Sequence, residues 1–150
     1  MHQRRLFVLV GLPGSGKSTW AAQRGLPTFS PDDALASDRS RAGYRWTPQR
    51  WRRGYRVAMR ELREALATGQ SVVWDATNLT RSARAVLIKL ARRHNYSPRC
   101  VWFRNPRAYH NNRTRPHGRR VPQAQFEAFE RRLQPPTTTE GFDFVETRGL

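Results

Sequence analysis

Residues 11–19 read Gly-Leu-Pro-Gly-Ser-Gly-Lys-Ser-Thr and match the pattern G-x-x-x-x-G-K-[ST] without a mismatch. Glycines in such a loop let backbone N–H groups curl around phosphate oxygens, and the helix that follows adds its positive N-terminal end. We expect Lys17 to reach the β- and γ-phosphates of ATP and the Ser18 hydroxyl to hold Mg²⁺ directly. The predicted ATP-binding residues of the loop are Gly11, Leu12, Pro13, Gly14, Ser15, Gly16, Lys17, Ser18 and Thr19.

Short apolar stretches alternate with helical patterns on both sides of this loop. Strands are predicted at residues 6–10, 27–29, 71–75, 99–103 and 142–145. Helices are predicted at residues 18–23, 48–68, 81–94 and from 122, with a helical turn over 106–112. Such alternation favours an α/β fold of the P-loop NTPase type, with a parallel sheet of about five strands and helices on both faces.

Two of the helices show a clear buried face. Thr47 is a suitable N-cap for the longer one, Pro48 fits its first position, and Gly69 fits just past its end. Its predicted core residues are Trp51, Tyr55, Ala58, Met59, Leu62 and Leu66. In the next helix the predicted core residues are Ala83, Val86, Leu87, Leu90 and Ala91.

The charge of the chain is strongly positive. Twenty-eight basic residues, of which two are lysines, stand against eleven acidic ones, which gives a net charge of +17. Between Ala76 and Phe126 there is no acidic residue, while eleven arginines and Lys89 fall there. Arginine-biased composition could explain arginine over lysine, but it does not explain missing carboxylates. A field of this sign attracts polyanions, so we expect a nucleic-acid partner.

The remaining bulk features predict a single cytoplasmic domain over residues 1–150. The longest apolar run, Leu6 to Val10, is far too short to span a bilayer, so no membrane partner is expected. The lone Cys100 cannot form an internal disulfide, which suits a reducing compartment, and its apolar surroundings predict burial.

Acidic residues follow two of the predicted strands. Asp75 ends the third strand, where a carboxylate can act on magnesium through its water shell or, alternatively, cap the next turn with Thr77 and Asn78. Asp32 and Asp33 follow the second strand, at the edge of the sheet where an acceptor hydroxyl would arrive. One of this pair could take the hydroxyl proton while the other caps the segment that follows.

An arginine-rich segment at about residues 113–121 has the character of a lid, since it carries proline and glycine and no apolar periodicity. An arginine from such a lid could neutralise the charge of a transferring phosphoryl group. A solvated or phosphate-steering role is the alternative for any single member. The arginines in this segment are Arg113, Arg115, Arg119 and Arg120.

Four motifs together resemble the kinase domain of the polynucleotide 5′-hydroxyl kinases of phage and bacterial end-healing enzymes. They are GLPGSGKSTW at 11–20, Asp32-Asp33, WDATNL at 74–79 and NRTRPHGRRVP at 112–122. The resemblance implies that Asp32 is the general base, that Lys17 and Ser18 serve the phosphates and magnesium, and that Arg115 is the lid arginine, with Arg113 also on the ATP side.

The chain departs from the family's pattern at one position. The family usually carries an arginine three residues after the base, where it holds a phosphate of the acceptor strand, and here that position is Leu35. Arg39 or Arg41 could replace it. Motifs of the phosphatase, metal phosphohydrolase and ligase modules found in larger end-healing proteins are missing from these 150 residues, which predicts a stand-alone kinase.

The leading hypothesis is therefore an enzyme, an ATP- and Mg²⁺-dependent phosphotransferase that acts on the 5′-hydroxyl ends of DNA or RNA. A small-molecule kinase of the same fold, with a metabolite or antibiotic as acceptor, is the first alternative. It would not need the +17 charge. A nucleic-acid-binding ATPase that transfers phosphate only to water is the second alternative, and Asp32 beside the phosphate loop argues against it.

Overall fold

Five parallel strands form the centre of the protein in the computed structural model, which describes residues 3–35, 44–116 and 119–149. Their order across the sheet is β2-β3-β1-β4-β5, and every neighbouring pair is parallel. The predicted α/β fold with a five-stranded parallel sheet is confirmed. The strands are β1 (Arg5–Val10), β2 (Thr28–Phe29), β3 (Val72–Trp74), β4 (Ser97–Phe103) and β5 (Phe144–Arg148).

Helices connect the strands and cover both faces of the sheet. The described α-helices are α1 (Lys17–Arg24), α2 (Pro48–Leu66), α3 (Arg81–Arg93), α4 (Ala108–Thr114) and α5 (Gln123–Arg132). Short 3₁₀ turns lie at Asp33–Leu35 and Thr138–Glu140. None of the described helices is long and apolar enough to cross a membrane.

The two faces of the sheet bury different sets of side chains because successive residues of a strand point to opposite sides. One face packs against α2 and α3, and the other packs against α1. The first layer includes Leu6, Val8, Val10, Val72, Trp74 and Cys100. The second layer includes Leu9, Trp20, Ala21, Val73, Val101 and Phe103.

The start of α2 agrees with the prediction, whereas its end does not. The Thr47 hydroxyl accepts a hydrogen bond from the backbone N–H of Arg50, and Pro48 is the first helical residue. The helix ends at Leu66 and Ala67 is its C-cap, so placing Gly69 just past the end was wrong by two residues. Gly69 lies in the turn that follows, with a φ of +85° that only glycine adopts readily.

The buried face of α3 is rotated from the predicted one. Val86 is 46% exposed and Ala83 is also exposed, so their assignment to the core was wrong. Arg84 and Ile88 are buried instead. The cause is an ion pair between the Arg84 guanidinium and Glu140, a residue far along the chain, which turns position 84 toward the interior.

Candidate active site

The phosphate loop lies between β1 and α1, at the edge of the sheet where the strands end. Gly14 has a φ of +85°, and a Cβ atom there would lie 2.5 Å from the Ala108 carbonyl oxygen. The Asn111 side chain donates from Nδ2 to the Gly14 carbonyl oxygen at 3.0 Å. The loop is therefore held closely against the start of α4, and glycine is required for that approach.

Lys17 is the cation of this loop. Its Nζ donates to the carbonyl oxygens of Gly11 and Leu12, both at 3.0 Å. Burial lowers the pKa of Lys17 from 10.5 to about 8, and the nearby Asp75 carboxylate opposes that shift. Both of these acceptors are neutral carbonyl oxygens. A bound phosphate would offer the Lys17 ammonium a negatively charged acceptor instead.

Ser18 and Asp75 form the next contact. Ser18 Oγ donates to Asp75 Oδ2 at 2.9 Å, and the backbone N–H of Asp75 donates to the Phe29 carbonyl oxygen at 2.8 Å. Burial raises the pKa of the Asp75 carboxyl, while Lys17 and the hydrogen bond from Ser18 act in the opposite direction. The carboxylate predicted at the end of the third strand thus lies beside the first helix of the fold.

The oxygens of Ser18 and Asp75 fit a magnesium ion, because Mg²⁺ prefers hard oxygen ligands and keeps several waters and phosphate oxygens of its own. Within the described residues, no group of three or more His, Cys, Asp and Glu side chains is placed to hold a metal. Ser18 and Asp75 are the side chains that would hold such an ion, with phosphates and water as its further ligands.

A cleft of about 340 Å³ brings the predicted site residues together. Asp32 is partly buried and Asp33 is exposed, and both line the same cleft as the phosphate loop and Arg115. The lining residues that the sequence assigned to the phosphate loop, to the strand ends or to the arginine-rich segment are Pro13, Gly14, Gly16, Lys17, Ser18, Thr19, Asp32, Asp33, Asp75, Thr77, Arg115 and Arg119.

Other predicted site residues lie outside this cleft. Arg113 is exposed, with its guanidinium carbon 5.8 Å from the centre of the Tyr109 ring, and it borders a neighbouring cavity. Ser15 is buried within the loop. Arg39 and Arg41 fall outside the residues that the structure describes.

The turn after β2 positions the two aspartates. Ser30 caps it: its Oγ accepts from the Asp33 N–H at 3.4 Å, and its carbonyl oxygen accepts from the Ala34 N–H at 3.0 Å. Since a serine does the capping, the carboxylates of Asp32 and Asp33 are both left to face the cleft.

Helix α2 closes on this turn at Gly54. A Cβ atom at position 54 would lie 2.2 Å from the Pro31 carbonyl oxygen and 2.9 Å from Leu35 Cγ. Leu35 is 5% exposed and packs into this contact. The position three residues after Asp32 therefore faces the core, and Leu35 does not line the cleft.

The arginine-rich segment is anchored at both ends by one side chain. Asn112 is 1% exposed, its Nδ2 donates to the Val121 carbonyl oxygen at 2.8 Å, and its Oδ1 accepts from the Val121 N–H at 3.0 Å. Of the arginines between these two residues, Arg115 and Arg119 line the cleft beside the phosphate loop.

Sequence reasoning missed the aromatic residues of the cleft. Trp46, Trp51 and Phe129 line it, although the helical spacing of Trp51 had marked that residue as core. Trp46 lies outside the apolar face of any predicted helix or strand. A tryptophan without a predicted place in the core is a candidate for the wall of a binding site, and this signal could have identified it. Asn78 was also missed as a support: its Nδ2 donates to the Leu9 carbonyl oxygen at 2.6 Å and its Oδ1 accepts from Trp74 Nε1.

A family model described as an AAA domain matches residues 6–136. The chain belongs to the AAA domain family. Among curated proteins, this AAA domain is similar to the bifunctional polynucleotide phosphatase/kinase of Schizosaccharomyces pombe, with 33% identity over 150 residues. That alignment covers 97% of this chain and 33% of the relative, so the chain spans a third of the relative's length. The resemblance drawn from the four motifs is confirmed.

Solved structures share the fold of this AAA domain. The Pnkp1/Rnl/Hen1 RNA repair complex contains a chain with a TM-score of 0.70 and 24% identity, covering 96% of this chain and 48% of that one. The Mycobacterium tuberculosis APS kinase CysC, in complex with AMPPNP and APS, has a TM-score of 0.62 and 18% identity, covering 100% of this chain and 91% of that one. Fold, phosphate loop and family together identify a nucleotide-binding P-loop domain.

Proposed function

We propose that this AAA domain is a polynucleotide 5′-hydroxyl kinase, which transfers the γ-phosphate of ATP to the 5′-hydroxyl end of DNA or RNA. The observation that carries the proposal is the position of Asp32, which lines the same cleft as Lys17 and Ser18. A carboxylate facing the phosphates from the acceptor side suits transfer to a hydroxyl group.

On the donor side, the loop holds the phosphates and two cations neutralise them. Lys17 leaves the carbonyl oxygens of Gly11 and Leu12 to contact the β- and γ-phosphates. Arg115 lines the cleft from the arginine-rich segment at 113–121, which acts as the lid, and stabilises charge on the transferring group. Mg²⁺, when bound by Ser18 and through water by Asp75, supplies further neutralisation of the phosphate oxygens.

On the acceptor side, Asp32 accepts the proton of the 5′-hydroxyl as its oxygen attacks the γ-phosphorus. The bond from that phosphorus to the bridging oxygen of ADP breaks in the same step, and ADP leaves. Asp33 lines the cleft as well, but it is exposed at the start of the 3₁₀ turn, whereas Asp32 is partly buried. Asp32 is therefore the better placed base.

Two further observations favour a nucleic-acid acceptor. The chain has a net charge of +17, and its stretch from Ala76 to Phe126 has no carboxylate. The relative that shares 33% identity carries polynucleotide kinase in its name. Binding of a small-molecule acceptor would not require this positive charge, although an APS kinase shares the fold.

Transfer of radiolabelled phosphate tests the proposal. We would incubate the protein with γ-labelled ATP, Mg²⁺ and either a 5′-hydroxyl DNA, a 5′-hydroxyl RNA, a panel of metabolites or no acceptor. Label should enter the 5′-hydroxyl oligonucleotides, and the same oligonucleotides carrying a 5′-phosphate should stay unlabelled as the matched control. Label in a metabolite alone would make the protein a small-molecule kinase, and release of phosphate without an acceptor would make it an ATPase.

A further inference from the structure

A second groove, of about 500 Å³, lies directly beside the cleft of the phosphate loop. It shares Trp46, Trp51, Thr77 and Phe129 with that cleft, so the two are continuous. We call it the aromatic groove. Its other lining residues include Arg52, Tyr55 and Arg132.

Four aromatic rings line the aromatic groove in two contacting pairs. Trp46 meets Phe129 edge-on, with ring centres 5.7 Å apart, and Trp51 lies against Tyr55 at 5.4 Å. Tyr55 in turn stands edge-on to the buried Trp74 at 5.5 Å. The rings are fixed by each other and by the core, so they offer a flat ligand a surface that needs no reordering.

The charge at the aromatic groove has a single sign. Arg52 on α2 and Arg132 on α5 are both exposed and both line it. None of the described residues that line it carries a carboxylate. Aromatic faces combined with cations are the chemistry by which proteins bind single-stranded nucleic acids, through base stacking and phosphate contacts.

We propose that the aromatic groove stacks an unpaired nucleobase of the acceptor strand, one or two nucleotides downstream of the 5′-hydroxyl, with Arg52 and Arg132 on the neighbouring phosphates. This proposal rests on the proposed function, because it takes the 5′ end to be at Asp32. A base paired within a duplex cannot leave its stack to enter a groove without unpairing. Single-stranded or protruding 5′ ends are therefore the preferred acceptors, and blunt ends are poor ones.

Abasic substitutions test the position of the stacked base. The probe is 5′-hydroxyl decathymidylate, with an abasic residue at position 2, 3 or 8. Loss of the base at position 2 or 3 should raise the KM for the oligonucleotide about tenfold with kcat little changed, and loss at position 8 should change neither. A blunt duplex with the same 5′ sequence should be used at least about tenfold less well than one with a five-nucleotide 5′ overhang.

Matched arginine variants test the walls of the groove. Arg132→Ala and Arg131→Ala each remove one charge from an exposed position of α5, but only Arg132 lines the groove. Arg132→Ala should weaken binding of a 3′-fluorescent decathymidylate and reduce the slope of log affinity against log salt by about 0.7, while Arg131→Ala should leave the slope unchanged. Arg52→Ala and Arg56→Ala form the same comparison on α2.

Failure of this inference is distinguishable from failure of the proposed function. Efficient phosphorylation that is indifferent to abasic sites at positions 2 and 3 overturns the stacking proposal and leaves the kinase. Binding of decathymidylate that depends on those bases, without any phosphorylation, supports base stacking in the aromatic groove and refutes the proposed kinase activity. Equal effects of the paired arginine variants, or a protein that neither binds nor phosphorylates the oligonucleotide, overturn the assignment of the groove.

Discussion

The buried ion pair between Arg84 and Glu140 gives the sharpest test of how the cleft is supported. Arg84 donates from Nε and Nη2 to the two oxygens of Glu140, at 2.8 and 3.1 Å, and the side chains are 0% and 7% exposed. Its Nη1 donates to the carbonyl oxygens of Asn78 and Leu79, at 2.9 and 3.1 Å. The pair thus fixes the segment that follows Asp75. We expect Glu140→Ala to destabilise the protein severely.

The magnitude follows from the contacts that are lost. Two charge-assisted hydrogen bonds contribute roughly 1.5 to 3 kcal/mol each, which gives about 3 to 6 kcal/mol. Breaking a buried pair by removing one partner costs about 3 to 5 kcal/mol, because the other charge is left buried alone. The Glu140 carboxylate also accepts from the Thr137 N–H at 2.8 Å, so the turn at its own end loosens too. We therefore expect the free energy of unfolding to fall by about 4 kcal/mol.

Urea unfolding followed by circular dichroism measures this change, with Arg84→Met and the double variant completing a double-mutant cycle. The double variant should be more stable than the sum of the single losses predicts, by about 2 kcal/mol, because its second change removes the stranded charge. Arg92→Ala is the matched control. Arg92 pairs with Asp143 at 2.6 Å, but their side chains are 51% and 34% exposed, so about 1 kcal/mol at most is at stake. A Glu140→Ala loss as small as this control, or strictly additive losses, would refute the reasoning.

Four further outcomes are expected. Lys17→Ala should leave less than about a tenth of the phosphoryl-transfer rate, since one tenfold step is only ~1.4 kcal/mol of transition-state stabilisation, and circular dichroism should show the fold intact. Asp32→Asn should lower kcat by ~10² to 10⁴ with ATP affinity unchanged in a binding titration, whereas Asp33→Asn should be mild. Oligonucleotide affinity should fall linearly with log salt, by ~0.7 to 0.9 per phosphate contacted. Because burial raises the pKa of the Cys100 thiol from 9.0 to about 12, the native protein should resist thiol reagents at pH 8 until denaturant is added.

Each of these expectations has a contradicting result. A Lys17→Ala protein with a third of the normal rate would remove that lysine from the mechanism. An inactive Asp33→Asn beside an active Asp32→Asn would exchange the roles of the two carboxylates, and activity in both would require another route for the proton. A flat salt response would favour a small neutral acceptor. Rapid labelling of native Cys100 would show that the thiol is reached from solvent.

Most of the fold could be predicted from the sequence because its signals are local. Short apolar runs predicted all five strands, of which β1 ends next to Gly11 and β3 next to Asp75, and Thr47 with Pro48 predicted the start of α2. The orientation of α3 could not be predicted, because Arg84 is turned inward by Glu140, which lies 56 residues away. From the helical pattern alone an arginine is predicted to be exposed, because burial of its charge requires a partner that the pattern does not show.

The candidate site, too, was predictable only where the sequence signals are local. The phosphate loop and the strand-end carboxylates could be placed in one cleft because parallel strands deliver their carboxyl ends to one edge of the sheet. Trp51 could not, since one ring contributes to both the packing of α2 and the wall of the cleft. The helical spacing of Trp51 indicates that it packs against the core, but it carries no information about the cleft.

The contact at Gly54 has a consequence for how this protein can vary. A substitution there would collide with a backbone oxygen at Pro31, so no change of a neighbouring side chain alone could accommodate it. Gly54→Ala would push on the turn that carries Asp32, and a survey of mutations should find position 54 as sensitive as Asp32 itself. A library built to change the residues around the cleft should leave Gly54 fixed. A homologue with a larger residue at this position would have to hold the residue equivalent to Asp32 at a different distance from the phosphate loop.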